Sequence, residues 1–278
     1  MCFPKEKMAD NLIILDIDRT LKPHGKPIPQ TIISELFRLK EEGNIIVLAT
    51  GRSMYDTAFI EKDMGNINHY SVYLNGSITV KHENNFPQKI RSDTFNGKEI
   101  YQGVHKSLPH HYGISDVYEF PPKFSGYVQK HVESFYAEAK GYQPVETIEE
   151  VIKDDALTKL SLITHAPEKS KELGEIIVKE YGQIVESHVY DGRIVEIGPV
   201  GVNKATGVKP VFQKYSNMVE RVIVAGDNYN DITLFKWANS VGAETYAMAN
   251  AVASLKQVAK YETGDVNRDG VLPLLQSL

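Results

Sequence analysis

A chain of 278 residues, 42% hydrophobic and 24% charged, has the composition of a soluble globular protein and the length for one large domain or two ordinary ones. Its formal net charge of −5, spread without long single-sign runs, offers no basic field, so nucleic acid is excluded as a partner. The one cysteine, Cys2, excludes an internal disulfide and a cysteine metal cluster and suits a reducing cytoplasm. The first apolar run stops after four residues, too short for a signal-peptide core, and no run approaches the roughly 18 residues of a membrane span, so a cytoplasmic protein without membrane contact is expected.

In chain order, Leu12 to Leu15 read as a buried strand that ends in two aspartates, Asp16 and Asp18. The proline- and glycine-rich stretch Leu21 to Pro29 is a loop, and Thr31 to Gly43 carries apolar residues at helical spacing, with Thr31 as cap and Gly43 as stop. A second strand, Asn44 to Ala49, ends in Thr50, Gly51 and Arg52; the strand, helix, strand order signals a parallel sheet. A helix over 54–65 and a third strand ending at Asn75 and Gly76 repeat the pattern. Between about Glu83 and Glu196 the texture changes, with strands expected at 158–165 and 193–197 and helices at 126–141 and 167–182. The C-terminal part returns to the first pattern: helix from Asn203, strand from Arg221 to Asp227, helix from Asn230. The predicted domains are therefore 1–83 and 197–278, forming one α/β core, with an inserted α+β domain at 84–196.

Asp16 and Asp18 stand two residues apart on an extended segment and so share a side, where their like charges need a cation or a shared proton. Asp16, Thr50, Asn75 and Asp227 all fall at strand carboxyl ends, where open α/β sheets bind ligands. Carboxylates without His or Cys companions favour a hard cation such as Mg2+. Thr50, the amides near Gly51 and Lys204 supply donors for an anion beside it, and phosphate fits that set. A carboxylate held near phosphorus can attack it, which makes Asp16 the candidate nucleophile. Asp18 is the candidate acid for the leaving oxygen and base for the water that follows.

These segments resemble the four motifs of the haloacid dehalogenase superfamily of phosphohydrolases, in its Cof-like group with a C2-type cap. The first motif is matched by Asp16, Asp18 and Thr20, the second by Thr50, the third by Lys204 and the fourth by Asp227 and Asp231. YLNGS at 73–77, AMANA at 247–251 and DVNRDGV at 265–271 extend the likeness almost end to end. The resemblance implies a Rossmann-like core, an inserted cap, and Mg2+ held by the Asp16 side chain, the Asp18 carbonyl and Asp227. Asp231 would act behind these ligands or through water, with Asn230 near the phosphoryl group and Lys204 between phosphate and Asp16. Gly51, Arg52 and Asn75 are the remaining candidates for substrate binding. Arg19 stands where the family usually has glycine, which tolerates backbone conformations arginine does not. Its side chain is expected toward solvent, the substrate phosphate or the cap.

The expected activity is Mg2+-dependent hydrolysis of a small phosphorylated metabolite through an aspartyl phosphate. The alternatives are a phosphomutase of sugar phosphates and a non-catalytic phosphosugar-binding regulator. Asp265, Asn267, Asp269 and Gly270 imitate the start of a calcium loop, but its twelfth position is Gln276 rather than the required Glu, so calcium is rejected there.

Overall fold

The computed structural model describes residues 9–83, 86–107, 112–118, 127–129, 143–145, 156–164, 167–190 and 192–278. The N-terminal part holds β1 (Ala9–Leu15), α1 (Gln30–Glu41), β2 (Ile45–Ala49), α2 (Met54–Asp63), β3 (Tyr70–Tyr73), β4 (Ile78–Glu83) and β5 (Phe86–Ser92). There follow β6 (Phe95–Asn96), α3 (Gly97–Ser107), β7 (Tyr112–Tyr118), β8 (Tyr127–Gln129), β9 (Gln143–Val145), β10 (Ala156–Leu157), β11 (Lys159–Thr164), α4 (Pro167–Tyr181), β12 (Val185–Tyr190) and β13 (Ile194–Pro199). The chain then gives α5 (Lys204–Tyr215), β14 (Val219–Gly226), α6 (Ile232–Ser240), β15 (Glu244–Ala247), α7 (Ala253–Lys256), β16 (Tyr261–Glu262) and α8 (Leu272–Gln276). Two compact units result: Met1–Arg91 with Asn203–Leu278, and Ser92–Val202.

The first unit is α/β. β16, β15, β14, β1, β2 and β3 are parallel neighbours in that order, and β4 returns antiparallel on β3. The continuous apolar run of β1 follows from burial of the central strand on both faces. Ile13 and Leu15 pack on one face with Leu36 and Leu39 of α1, while Leu12 and Ile14 pack on the other with Val208 of α5 and Leu234 of α6. Asp16 has the parity of Leu12 and Ile14, which directs it to the face of α5.

Helix α1 begins differently from the sequence expectation. Pro29, with its φ fixed near the helical value, takes the N-cap, and no side chain caps the helix. Thr31 lies inside the first turn and its hydroxyl donates to Asp269 Oδ2 at 3.0 Å. Gly43 ends the segment at φ 98, as a left-handed stop requires.

In the second unit β12, β13, β11 and β7 form an antiparallel sheet, and α3 and α4 share its apolar core through Ile100, Val104, Leu173 and Ile177. The helix expected over 126–141 is corrected where the chain is described: Tyr127–Gln129 is a strand, paired parallel with Gln143–Val145. Its aromatic and β-branched residues favour that state. Residues 130–141 of that expectation lie outside the described residues. No described helix is long and apolar enough to cross a membrane.

One core contact is sensitive to acid. The Ile46 amide donates to His69 Nδ1 at 3.2 Å, which fixes that nitrogen as an acceptor. Burial, reinforced by Lys40 and Lys81, pushes the imidazole down to about 4. Below the unfolded value near 6.5 the unfolded chain gains a proton that the folded chain refuses, so stability is lost as pH falls from about 6.5 toward 4. In urea titrations the wild type should lose up to about 3 kcal/mol more than His69→Gln over that range, and equal losses in both proteins would refute this.

Candidate active site

The parallel strands deliver their residues to one edge of the sheet. Asp16 follows β1, Thr50 follows β2, Asn75 lies in the single 3-10 turn after β3, and Asp227 follows β14. The sequence alone extended the third strand to Gly76, but it stops at Tyr73 because Leu74, Asn75 and Gly76 all take positive φ. Gly76 is required there: at φ 110, an added Cβ would stand 2.0 Å from the Asn203 carbonyl oxygen. That close approach seats the start of α5 against the turn.

α5 in turn places Lys204. Asn203 caps the helix, its Oδ1 accepting from the Ala205 and Thr206 amides, and Thr206 Oγ1 accepts from the Asn203 amide. Pro210 inside the helix leaves the Thr206 carbonyl without its usual donor, and Arg91 Nη1 takes it at 2.6 Å. Lys204 is fully buried and donates to Asp16 Oδ1 at 2.6 Å and to Asp231 Oδ1 at 2.7 Å. A cation in the first turn of a helix opposes the helix dipole. The two carboxylates outweigh both that and burial, which alone would discharge the amine, and hold Lys204 charged.

Asp231 has a second duty. Its Oδ2 accepts from the amides of Asp227 and Asn228, both at 3.0 Å, while Asn228 caps the same turn. Asp16, Asp227 and Asp231 offer carboxylate oxygens within 4.8 Å of one another, all buried. One ammonium among three carboxylates leaves a deficit of positive charge. Burial is the largest influence on Asp16 and, with Asp231 and Asp227 adding to it against Lys204, pushes its carboxyl up to about 8. Burial and Asp231 likewise push Asp227 up to about 7, opposed by Arg19 and Lys204.

Asp227 Oδ2 is buried without a hydrogen-bond partner. That atom and the all-oxygen donor set fit a hard divalent cation, which would relieve the crowding.

Asp18 stands apart from that trio, among cations. Arg52 grips its carboxylate with Nε at 2.5 Å and Nη2 at 2.8 Å, and Lys22 Nζ lies 3.5 Å away. These outweigh partial burial, so the Asp18 carboxyl lies below its usual range. Arg52, expected on the phosphate side, is thus bound to Asp18. Arg19, partly exposed to solvent as one expectation had it, also brings Nε to 3.4 Å from Asp227 Oδ2, a partner not foreseen. The pairings of Arg52 with Asp18 and of Arg19 with Asp227 had no signal in the sequence, since nothing in residue spacing reports a contact 34 or 208 positions away; Lys22 stands only four residues from Asp18.

Across the site, Asn75 ties the strand ends together. Its amide donates to the Thr50 carbonyl at 3.1 Å, and Asn230 Nδ2 donates to Asn75 Oδ1 at 2.9 Å. The Arg52 amide donates to Thr50 Oγ1 at 3.1 Å, and a Cβ on Gly51 would come within 3.0 Å of Asn75 Oδ1. All ten predicted site residues therefore meet at one sheet edge. The calcium-like segment does other work: Asp265 Oδ1 accepts from the Asn267 amide at 2.8 Å and starts a 3-10 turn.

Comparison with known proteins agrees with this architecture. The profile of the haloacid dehalogenase-like hydrolases matches residues 13–275. The chain is 25% identical over 280 residues to the 5-amino-6-(5-phospho-D-ribitylamino)uracil phosphatase YitU of Bacillus subtilis, covering 95% of this chain and 96% of that one. The crystal structure of TM0651 from Thermotoga maritima superposes with a TM-score of 0.82 at 23% identity, covering 97% of each chain. The subclass IIB sugar phosphatase BT4131 superposes with a TM-score of 0.70 at 18% identity, covering 96% of this chain and 98% of that one.

Proposed function

We propose that this chain, which belongs to the haloacid dehalogenase-like hydrolase family, is a Mg2+-dependent phosphatase of small phosphorylated metabolites that works through an aspartyl phosphate. The observation that carries the reading is the buried trio Asp16, Asp227 and Asp231, short of positive charge, in which Asp16 and Asp231 share Lys204. Asp16 and Asp227, with the Asp18 carbonyl, would hold the ion, and Asp231 would steady the arrangement through Lys204 and the Asp227 amide. When bound, the ion supplies positive charge that neutralises the phosphate and lowers the Asp16 carboxyl back to its ionised form.

The chain's own residues supply the rest. Asp16 Oδ attacks phosphorus and the bond to the leaving oxygen breaks; Asp18 protonates that oxygen, then takes a proton from the water that cleaves the acyl phosphate. Because Arg52 holds Asp18 ionised, the acid form requires that pair to open first. Thr50 Oγ1, the Gly51 amide and Asn230 would receive the phosphoryl oxygens. The unit Ser92–Val202 would act as the cap that selects the leaving group. A cytoplasmic location accords with the single cysteine.

A screen of phosphorylated metabolites, with and without chelator, tests the reading. Two further relatives share the name of the Bacillus subtilis enzyme, so 5-amino-6-(5-phospho-D-ribitylamino)uracil heads the screen, followed by sugar phosphates. Phosphate release should need Mg2+, and Asp18→Asn should lower kcat by about 10^2- to 10^4-fold. Tight binding of a sugar phosphate with no release from any compound would replace the phosphatase reading by the regulator.

A further inference from the structure

Arg19 holds a left-handed backbone conformation, φ 61, that side chains other than glycine rarely adopt. One residue secures both its ends: Asn250 Nδ2 donates to the Arg19 carbonyl at 2.9 Å, and Arg19 Nη2 donates to the Asn250 carbonyl at 3.2 Å. Asn250 is itself anchored, its Oδ1 accepting from the Val266 amide at 2.9 Å. The bracket sets Arg19 Nε 3.4 Å from Asp227 Oδ2, close enough for an ion pair but without forming a hydrogen bond to that oxygen. Asp16 Oδ1 and Asp231 Oδ1 share Lys204, and Asp231 Oδ2 takes two amides. Asp227 Oδ2 is thus the buried oxygen most in need of a cation, and the chain already supplies one beside it.

We infer that Arg19 is a built-in competitor of the divalent ion at Asp227: its guanidinium neutralises the ion-free site and raises the concentration of free ion at which the site fills. The inference rests on the metal reading above. An ion entering beside Asp227 exchanges one electrostatic partner for another rather than gaining an unopposed carboxylate, and it meets a like charge at close range. With the Arg19 side chain 45% exposed, solvent moderates but does not remove that opposition.

Calorimetric titration of Mg2+ into the full-length protein, without substrate, tests this. Arg19→Gln keeps a donor for the Asn250 carbonyl and the strained backbone while removing the charge; its Kd should fall about tenfold below that of wild type. Arg19→Lys should stay within about threefold of wild type. The ion-free Tm of Arg19→Gln should drop and be restored by Mg2+. Should Arg19→Gln fold poorly, Asn250→Ala, which frees the guanidinium without touching a carboxylate, should tighten binding in the same direction by a smaller factor. An unchanged or weaker Kd in the uncharged variant, with wild type binding normally, overturns the competition alone. Absence of Mg2+ binding in every protein overturns the metal reading and this inference with it.

Discussion

Asp16→Asn is expected to lower kcat by about 10^4-fold or more while the protein stays folded and is no less stable than wild type in ion-free buffer at pH 8. The catalytic loss follows because an amide nitrogen or oxygen cannot form the acyl phosphate, and the whole route passes through that bond. The stability follows from the position of Asp16. Its backbone is fixed independently of its carboxylate, since the Asp16 amide donates to the Ala225 carbonyl at 3.1 Å. The side chain is buried beside two other acids, and its carboxyl is raised to about 8, so carrying a charge there costs stability. A folded pKa above the unfolded one means this contribution to stability diminishes as pH rises from about 4 toward 8, and the neutral amide should not follow it. Lys204 retains Asp231 as a partner in the variant. A large loss of Tm in Asp16→Asn, measured by thermal unfolding without metal, would instead assign Asp16 a structural role.

Lys204→Met is expected to fail on both counts. The ammonium is the one cation in hydrogen-bond contact with Asp16 and Asp231 among the described residues, and removing it leaves two buried carboxylates, of which only Asp231 keeps backbone amides as donors. Breaking a buried pair in this way costs about 3–5 kcal/mol. For a unit of this size that is a fall in Tm of roughly 6–20 °C. The deficit should be smaller at pH 6 than at pH 8, because in the variant Asp16 protonates more readily and sheds the uncompensated charge. Activity should fall at least about 10^3-fold, since Lys204 also fixes the Asp16 oxygen. A variant that melts within about 2 °C of wild type at both pH values would show that the Asp16 and Asp231 charges do not depend on this lysine.

Much of the core was legible because its signals are local. The unbroken apolar run at Leu12 to Leu15 reads as a buried strand, and the strand, helix, strand order signals a parallel sheet, as β1 between β14 and β2 shows. Parallel order in turn forced Asp16, Thr50 and Asp227 to one edge, so the site could be assembled from strand ends. What was lost depended on contacts that spacing does not encode. Thr31 looked like a cap by composition, yet Pro29 set the helix start and Asp269 drew the hydroxyl away. The residues between Tyr127 and Gln129 looked helical by periodicity, but pairing with Gln143–Val145 decided their state. Helix α3 escaped notice because its apolar positions serve a core completed by β11 and β13, which lie more than fifty residues downstream. The cations around Asp18 and Asp227 were visible as residues and invisible as partners.

The most direct test is rapid acid quenching of Asp18→Asn during turnover of a phosphate-labelled substrate with Mg2+, followed by peptide mapping. With an aryl phosphate whose leaving oxygen needs no proton, the variant keeps the attacking carboxylate and lacks only the base that activates water, so the label should accumulate on the peptide spanning Ile13 to Leu21, as an acyl phosphate at Asp16. Labelled phosphate appearing in solution with no protein-bound label at any time, or label fixed on a different peptide, would contradict the account.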